Sequence, residues 1–96
     1  MRCKVDANQT AVVKVARQLG ATVESLATIG RGCPDLLLGY RGKNYLVEVK
    51  DGTKSPSRRK LLEAQERWHV SWNGNVVTVT STHDLIEFLL HEAALA

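Results

Sequence analysis

The chain has 96 residues, the length of one domain, which excludes two independently folding units and predicts a single domain over residues 1–96. With 44% hydrophobic and 24% charged residues, 7 Gly and 2 Pro, its composition is that of a folded globular protein and excludes disordered and fibrous classes. The formal net charge of +3 is by itself a weak indication of an anionic partner.

The sequence also lacks the features of membrane, secreted and disulfide-rich proteins. No apolar run approaches the ~20 residues that a bilayer-spanning helix needs, and residues 1–6 contain no apolar stretch typical of a secretory signal. We therefore expect a soluble cytoplasmic protein without membrane contact. Cys3 and Cys33 are too few for a disulfide scaffold and lack the second pair that a structural zinc site needs, so we expect reduced thiols.

The charges are distributed unevenly along the chain. Residues 31–60 carry eight basic groups and three acidic ones, whereas residues 81–96 carry three acidic groups and no Lys or Arg. This asymmetry predicts a positive face that meets a polyphosphate and an acidic far end. A solvated surface loop would give the same pattern, and charge alone does not separate the two.

The predicted elements begin with a helix. Apolar residues spaced three and four apart predict an amphipathic helix over residues 7–18, ended by Gly20, with Asp6 and Gln9 in the positions of a capping box. Residues 22–28 predict a short strand, and residues 30–34, with two glycines and a proline, predict a loop.

The remaining elements complete an α/β pattern. A β-hairpin is predicted from residues 35–40 and 44–50, followed by a polar loop (51–57), a helix (58–72), a strand (75–80) and a final helix capped by Ser81 or Thr82. The helix between the hairpin and the last strand allows a parallel crossover. The order α-β-β-β-α-β-α therefore predicts a single mixed β-sheet flanked by helices.

Charged side chains interrupt the apolar strand 44–50. Because strand side chains alternate, Glu48 and Lys50 are neighbours on one face, where they cost free energy unless paired, solvated or bound to a ligand. With Arg41-Gly42 as the central turn residues, Asp35 lies opposite Glu48, whereas a four-residue loop would place it opposite Lys50 on the same face. The pattern predicts a cleft at this position.

Two carboxylates close together repel each other unless a hard divalent cation such as Mg²⁺ or Mn²⁺ lies between them. A cation so held bridges a phosphate oxygen and the attacking water, whose pKa it lowers. Lys50, beside Glu48, would position the nucleophile or neutralise charge at phosphorus. An ordinary salt bridge among Asp35, Glu48 and Lys50 is the alternative that these residues leave open.

The motif Gly32-Cys33-Pro34-Asp35, followed by Glu48-Val49-Lys50, resembles the Pro-Asp…Glu-x-Lys signature of the PD-(D/E)XK nuclease superfamily. The run from Val5 to Trp72, with Gln65 on the second helix, resembles a small stand-alone VRR-NUC domain of the kind found in phages and bacteria. Glu-x-Lys alone is common, but with Pro-Asp on the preceding strand and a Gln on the next helix the match becomes fairly specific.

This resemblance implies a restriction-endonuclease-like core and metal-dependent hydrolysis of DNA phosphodiester bonds, with no organic cofactor. The implied metal ligands are Asp35, Glu48 and the backbone carbonyl of Val49, and the other implied catalytic residues are Lys50 and Gln65. Family members often carry a Glu on the first helix that contacts the metal through water. Here Asn8 and Gln9 occupy that region, and either side chain would substitute for the Glu as a neutral ligand. For Gln9, a role only as the capping-box partner is at least equally expected.

The resemblance also implies a mode of action. Stand-alone domains of this kind act as homodimers on branched DNA such as four-way junctions, in a bacterial or phage-infected cell, and paired cuts need two sites related by symmetry. A DNA-binding module without catalysis is the alternative, and no residue excludes RNA as the substrate.

Several basic residues are expected to contact phosphates, unless they only form an exposed loop: Arg31, Lys54, Arg58, Arg59 and Lys60. The remaining conspicuous side chains favour structural roles. Trp68 and Trp72 are expected in the core or at a subunit interface. His69, four residues after Gln65, either lines the edge of the site or packs, and packing is favoured.

Overall fold

The structure, a computed structural model, describes residues 7–51 and 63–95, with side chains through Glu92. The predicted order of elements is confirmed. They are α1 (Ala7–Gln18), β1 (Thr22–Ser25), β2 (Leu36–Tyr40), β3 (Lys43–Val49), α2 (Glu63–Ser71), β4 (Val76–Val79) and α3 (Thr82–Leu95). None of the helices in the described ranges is long and apolar enough to cross a membrane.

The four strands form one mixed sheet in the order β1-β2-β3-β4. β1, β2 and β3 are antiparallel neighbours, and β4 runs parallel to β3. The parallel pair follows from the crossover that contains α2, because a tight turn can join only antiparallel strands. The predicted single mixed sheet flanked by helices is thereby confirmed.

A two-residue turn sets the register of the β2–β3 hairpin. Arg41 and Gly42 have positive φ angles of 51° and 83°, as a type I′ turn requires. The strands pair Tyr40 with Lys43 and Leu36 with Val47, so the four-residue alternative is wrong. One step beyond the ladder, this register brings position 35 opposite position 48.

β1 is shorter than predicted, because it ends at Ser25 instead of continuing to residue 28. The Leu26 amide still donates to the Asp35 carbonyl at 2.8 Å, but the chain then turns as the Ile29 amide donates to the Leu26 carbonyl. The predicted N-cap Asp6 and the first five residues of the predicted helix 58–72 lie outside the described residues.

The hydrophobic core lies between one face of the sheet and the helices α1 and α3. Its buried residues are Val12, Ala16, Ala21, Val23, Leu36, Leu38, Tyr45, Val47, Val49, Val79, Leu85 and Leu89. Phe88 packs edge-to-face on Tyr45 with ring centroids 5.0 Å apart. Leu85 and Leu89 form the buried face of α3, whereas Leu90 is 60% exposed.

Ser81 is the N-cap of α3, and Thr82 is its first residue. The Ser81 hydroxyl accepts a 3.0 Å hydrogen bond from the Asp84 amide. The Asp84 carboxylate in turn accepts hydrogen bonds from the hydroxyl and the amide of Thr80. These bonds favour the ionised carboxylate and lower the pKa of Asp84.

Candidate active site

The sheet face opposite the core carries the predicted charged residues. Because Val47 and Val49 are buried in the core, Glu48 and Lys50 point to the other face. The Glu48 side chain is only 2% exposed and that of Lys50 only 15%. Two opposite charges have therefore been withdrawn from water on the side of the sheet where α2 supplies Gln65.

Gln65 of α2 joins these two charges. Lys50 Nζ donates to Gln65 Oε1 at 2.8 Å and lies 3.9 Å from Glu48 Oε2. The side-chain amide of Gln65 donates to the same Glu48 oxygen at 3.4 Å. The structure thus brings together Glu48, Lys50 and Gln65, which come from two separate elements of the chain.

Asp35 immediately precedes β2, beside the end of β3. Its Oδ2 accepts a 2.7 Å hydrogen bond from the backbone amide of Val49. Its own carbonyl accepts from the Leu26 amide, and Pro34 before it is fully buried. Both its main chain and its side chain are therefore fixed, which holds the Asp35 carboxylate next to Glu48.

This arrangement raises the pKa of Glu48 to about 8. Burial is the largest cause, hydrogen bonding with Asp35 and the charge of Asp35 add to it, and the charge of Lys50 opposes it. Within the described part of the chain, the buried Oε1 of Glu48 has no hydrogen-bond partner. Two ionised carboxylates cannot donate to one another, so a proton or a cation is needed to stabilise the pair.

The residues present fit a hard divalent cation. Across residues 7–51 and 63–95, no group of three or more His, Cys, Asp or Glu side chains could hold a metal ion. Mg²⁺, however, is commonly bound through one or two carboxylates with water completing its shell. The paired Asp35 and Glu48, with a Glu48 oxygen that has no partner in the described ranges, match that requirement. A site for Zn²⁺ would need more nitrogen or sulfur ligands.

The first helix takes a part that was not predicted. The Asn8 side-chain amide donates to the carbonyls of Lys50 at 2.8 Å and Thr80 at 3.3 Å. Asn8 thereby joins the start of α1 to the ends of β3 and β4. Gln9 is 7% exposed, and its predicted capping partner Asp6 lies outside the described residues. The segment Ala7–Gln18 contains no Asp or Glu, so α1 supplies no carboxylate to this site.

Arg31 belongs to a loop in an uncommon conformation. Its φ is 58°, and its neighbours Gly30 and Gly32 also have positive φ angles of 72° and 83°. Exposed Arg31 lines a surface groove of about 710 Å³ beside α2, together with Arg67 and Trp68. The other predicted phosphate-contacting residues, Lys54, Arg58, Arg59 and Lys60, lie outside the described residues.

Cys33 and His69, for which structural roles were favoured, both lie close to the site. Burial, followed by the charges of Glu48 and Asp35, raises the pKa of the Cys33 thiol. Burial and the charge of Lys50 lower the pKa of His69, whose buried Nε2 has no hydrogen-bond partner among the described residues. For His69, the four-residue spacing from Gln65 was an available signal, because it equals about one helical turn.

Trp68 and Trp72 stack on each other, with ring centroids 4.6 Å apart and planes inclined by 15°. Trp72 is 47% exposed, so a position in the core is wrong for this residue. Its exposed ring lies beside a small cavity of about 150 Å³ that Leu37 and Leu46 also line. The other predicted location, a subunit interface, stays a prediction.

Comparison with known proteins shows a similarity that covers most of the chain. No family model and no curated protein matches the chain significantly. A solved structure described as a VRR_NUC domain matches it with a TM-score of 0.66 and 31% sequence identity. The alignment covers 90% of this chain and 98% of that one, so the likeness is not confined to a short motif.

Proposed function

Since the chain belongs to the VRR-NUC domain family, a family of nuclease domains, we propose that it is a metal-dependent endonuclease that hydrolyses DNA phosphodiester bonds. The observation that carries this proposal is the buried Glu48 carboxylate, which has one oxygen without a hydrogen-bond partner among the described residues and a second carboxylate beside it. A carboxylate buried for stability alone would have hydrogen-bond partners for both oxygens. This pair is better explained by a bound cation.

Asp35, Glu48 and the backbone carbonyl of Val49 would hold Mg²⁺ or Mn²⁺. Such an ion lowers the pKa of the attacking water and offsets the negative charge that develops on the phosphate. The chain's own contribution is to keep the two carboxylates together. Val49 holds Asp35 through its amide, and Gln65 contacts Glu48 from the facing helix.

Lys50 would act on the phosphate itself, and Gln65 would hold Lys50 in place. In hydrolysis the water oxygen bonds to phosphorus and gives up a proton to solvent, the ester P–O bond breaks, and the leaving oxygen takes up a proton from solvent. The Lys50 ammonium group would stabilise the charge on the phosphorus oxygens during this exchange. The 2.8 Å hydrogen bond to Gln65 restricts Lys50 to one direction, so little reorganisation is needed when substrate binds.

We further propose branched DNA as the substrate and a homodimer as the active form, in the cytoplasm of a bacterial or phage-infected cell. Symmetric cuts in two strands require two sites, and one chain of this length carries one site. The basic residues Arg31, Lys54, Arg58, Arg59 and Lys60 are proposed to contact the phosphates. Light scattering at micromolar concentration checks this assembly, since a clean monomer would contradict paired junction cleavage.

A catalytically impaired nucleic-acid-binding module is the second candidate. It is favoured by α1, which supplies no acidic residue and whose Asn8 amide is engaged with backbone carbonyls. Both candidates predict salt-sensitive binding, because phosphate contacts release counterions in either case. Binding measurements therefore do not discriminate between them.

Cleavage assays discriminate. Labelled four-way junction, flap, duplex and single-stranded DNA, with a matched RNA duplex, are incubated with Mn²⁺, Mg²⁺ or EDTA. We expect metal-dependent DNA cutting that Glu48→Ala and Lys50→Ala reduce by about 100-fold or more, while Lys43→Ala, at the exposed hairpin end, retains activity. Binding without cutting would favour the second candidate, and full activity of Glu48→Ala would reject the proposed site.

A further inference from the structure

We propose that Gly32 is a positioning residue of the nuclease site, because its missing side chain allows α2 to approach the loop that precedes Asp35. This proposal rests on the function proposed above and adds a residue to it. Gly32 itself makes no contact with a reacting group. Its effect is transmitted through Gln65, which α2 holds between Lys50 and Glu48.

The main chain of α2 lies directly against Gly32. A methyl group on Gly32 would overlap the carbonyl oxygen of Ala64, and it would lie 2.7 Å from the Ala64 carbonyl carbon and 3.0 Å from the Gln65 nitrogen. Side-chain Cβ atoms essentially never approach other heavy atoms closer than 3.0 Å. Because the opposing atoms belong to the main chain, they cannot rotate away, and either the loop or α2 would have to move.

Movement of α2 would act on Gln65 first. Ala64 and Gln65 are both in the first turn of α2, and no residue of Glu63–Ser71 is fully buried. Within the described residues, the distance between this helix and the sheet is therefore fixed by few apolar contacts. The Gln65–Glu48 contact is already 3.4 Å long, so a displacement of about half an ångström would break it.

Two other glycines serve as controls that distinguish the effect of this contact from the effect of backbone strain. Gly42 has the same φ of 83°, and Gly30, in the same loop, has a φ of 72°. At both positions an added Cβ meets nothing within 4 Å among the described residues. Alanine at any of the three positions strains a backbone that L-residues rarely adopt, but only at Gly32 does it collide with α2.

The kinetic test compares Gly32→Ala, Gly30→Ala, Gly42→Ala, Gln65→Ala and the double variant Gly32→Ala/Gln65→Ala. Trimethylamine N-oxide is present throughout to keep each variant folded, which circular dichroism verifies. Gly32→Ala and Gln65→Ala should each lower kcat about tenfold or more, and the two control glycines should stay within about twofold. The double variant should be no slower than Gln65→Ala, because both changes remove the same contact.

The proposal would be overturned if the fold-loss of kcat in the double variant equalled the product of the two single losses. It would also be overturned if the kcat of Gly32→Ala equalled that of the control variants. A second readout does not need activity. The side-chain amide signal of Gln65 in a ¹⁵N correlation spectrum should shift in Gly32→Ala and not in Gly42→Ala. If the parent protein cuts no substrate, the proposed function fails, and this spectrum still decides the role of Gly32: an unmoved Gln65 signal rejects it.

Discussion

The carboxylate of Asp35 accepts a 2.7 Å hydrogen bond from the backbone amide of Val49. One residue before that amide, the side chain of Glu48 is buried on the same side of the sheet. The main chain therefore holds two acidic groups together that would repel each other in isolation. The fold thus keeps the two carboxylates adjacent in spite of their repulsion, and the proposed cation would offset that repulsion.

The stability of the metal-free protein should fall as the pH rises. The pKa of Glu48 is about 8 in the folded protein against an ordinary value of 4.5. Below both values Glu48 is protonated in the folded and unfolded states, so it contributes no difference. Between them the folded state retains a proton that the unfolded state has released, so the free energy of unfolding decreases with increasing pH.

Glu48→Gln removes this titration. In EDTA at pH 7.5, urea unfolding should give the variant a free energy of unfolding roughly 2–4 kcal/mol higher than that of the parent. The free energies of unfolding of the two proteins should converge as the pH falls towards 4.5. Asp84 and His69 titrate in both proteins, so the difference between the proteins isolates Glu48. A difference that stays constant across this range would show that Glu48 is not protonated in the folded state.

Lys50→Arg should abolish the proposed DNA cleavage although it preserves the charge. The Lys50 ammonium group donates at 2.8 Å to Gln65 in a largely buried position, and a planar, longer guanidinium group cannot occupy the same place. We expect kcat to fall about 100-fold with DNA affinity within about threefold. Lys43→Arg, on the exposed hairpin, is the matched control, and equal kcat in both variants would refute a positional role for Lys50.

Asn8 should stabilise the protein through its donor group rather than its size. Its amide donates to the carbonyls of Lys50 and Thr80, so Asn8→Ala should lose about 1–2 kcal/mol of unfolding free energy. Asn8→Asp has nearly the same shape but places an acceptor against two acceptors, and we expect a larger loss at pH 7. Urea unfolding measures the free energy of unfolding of both variants. An Asn8→Asp variant as stable as the parent would contradict the donor role of Asn8.

The sequence predicted those parts of the site that depend on short-range rules. Alternation along a strand is enough to place Glu48 and Lys50 on one face, and a two-residue turn is enough to bring Asp35 opposite Glu48. Gln65 was assigned through the family resemblance alone, because its approach to Lys50 and Glu48 depends on how α2 docks. The placement of Asp35, Glu48 and Lys50 needed no knowledge of how distant segments pack.

Most of the features that the sequence did not predict depend on contacts between distant segments. Asn8 meets the Lys50 carbonyl across 42 residues of chain, and no local pattern indicates such a partner. The closeness of Gly32 to Ala64 is likewise a consequence of how α2 docks. The end of β1 at Ser25 follows from the turn at Leu26–Ile29, which strand propensity alone does not show.

Calorimetric titration with Mn²⁺ tests most directly whether Asp35 and Glu48 share a divalent cation. At pH 7.5 the parent protein should take up Mn²⁺ with release of the proton that Glu48 retains, seen as a dependence of the heat on the buffer's ionisation enthalpy. Asp35→Asn and Glu48→Gln should each abolish uptake, and the exposed control Glu63→Gln should not. Absence of uptake by the parent, or unchanged uptake by both site variants, would contradict the account.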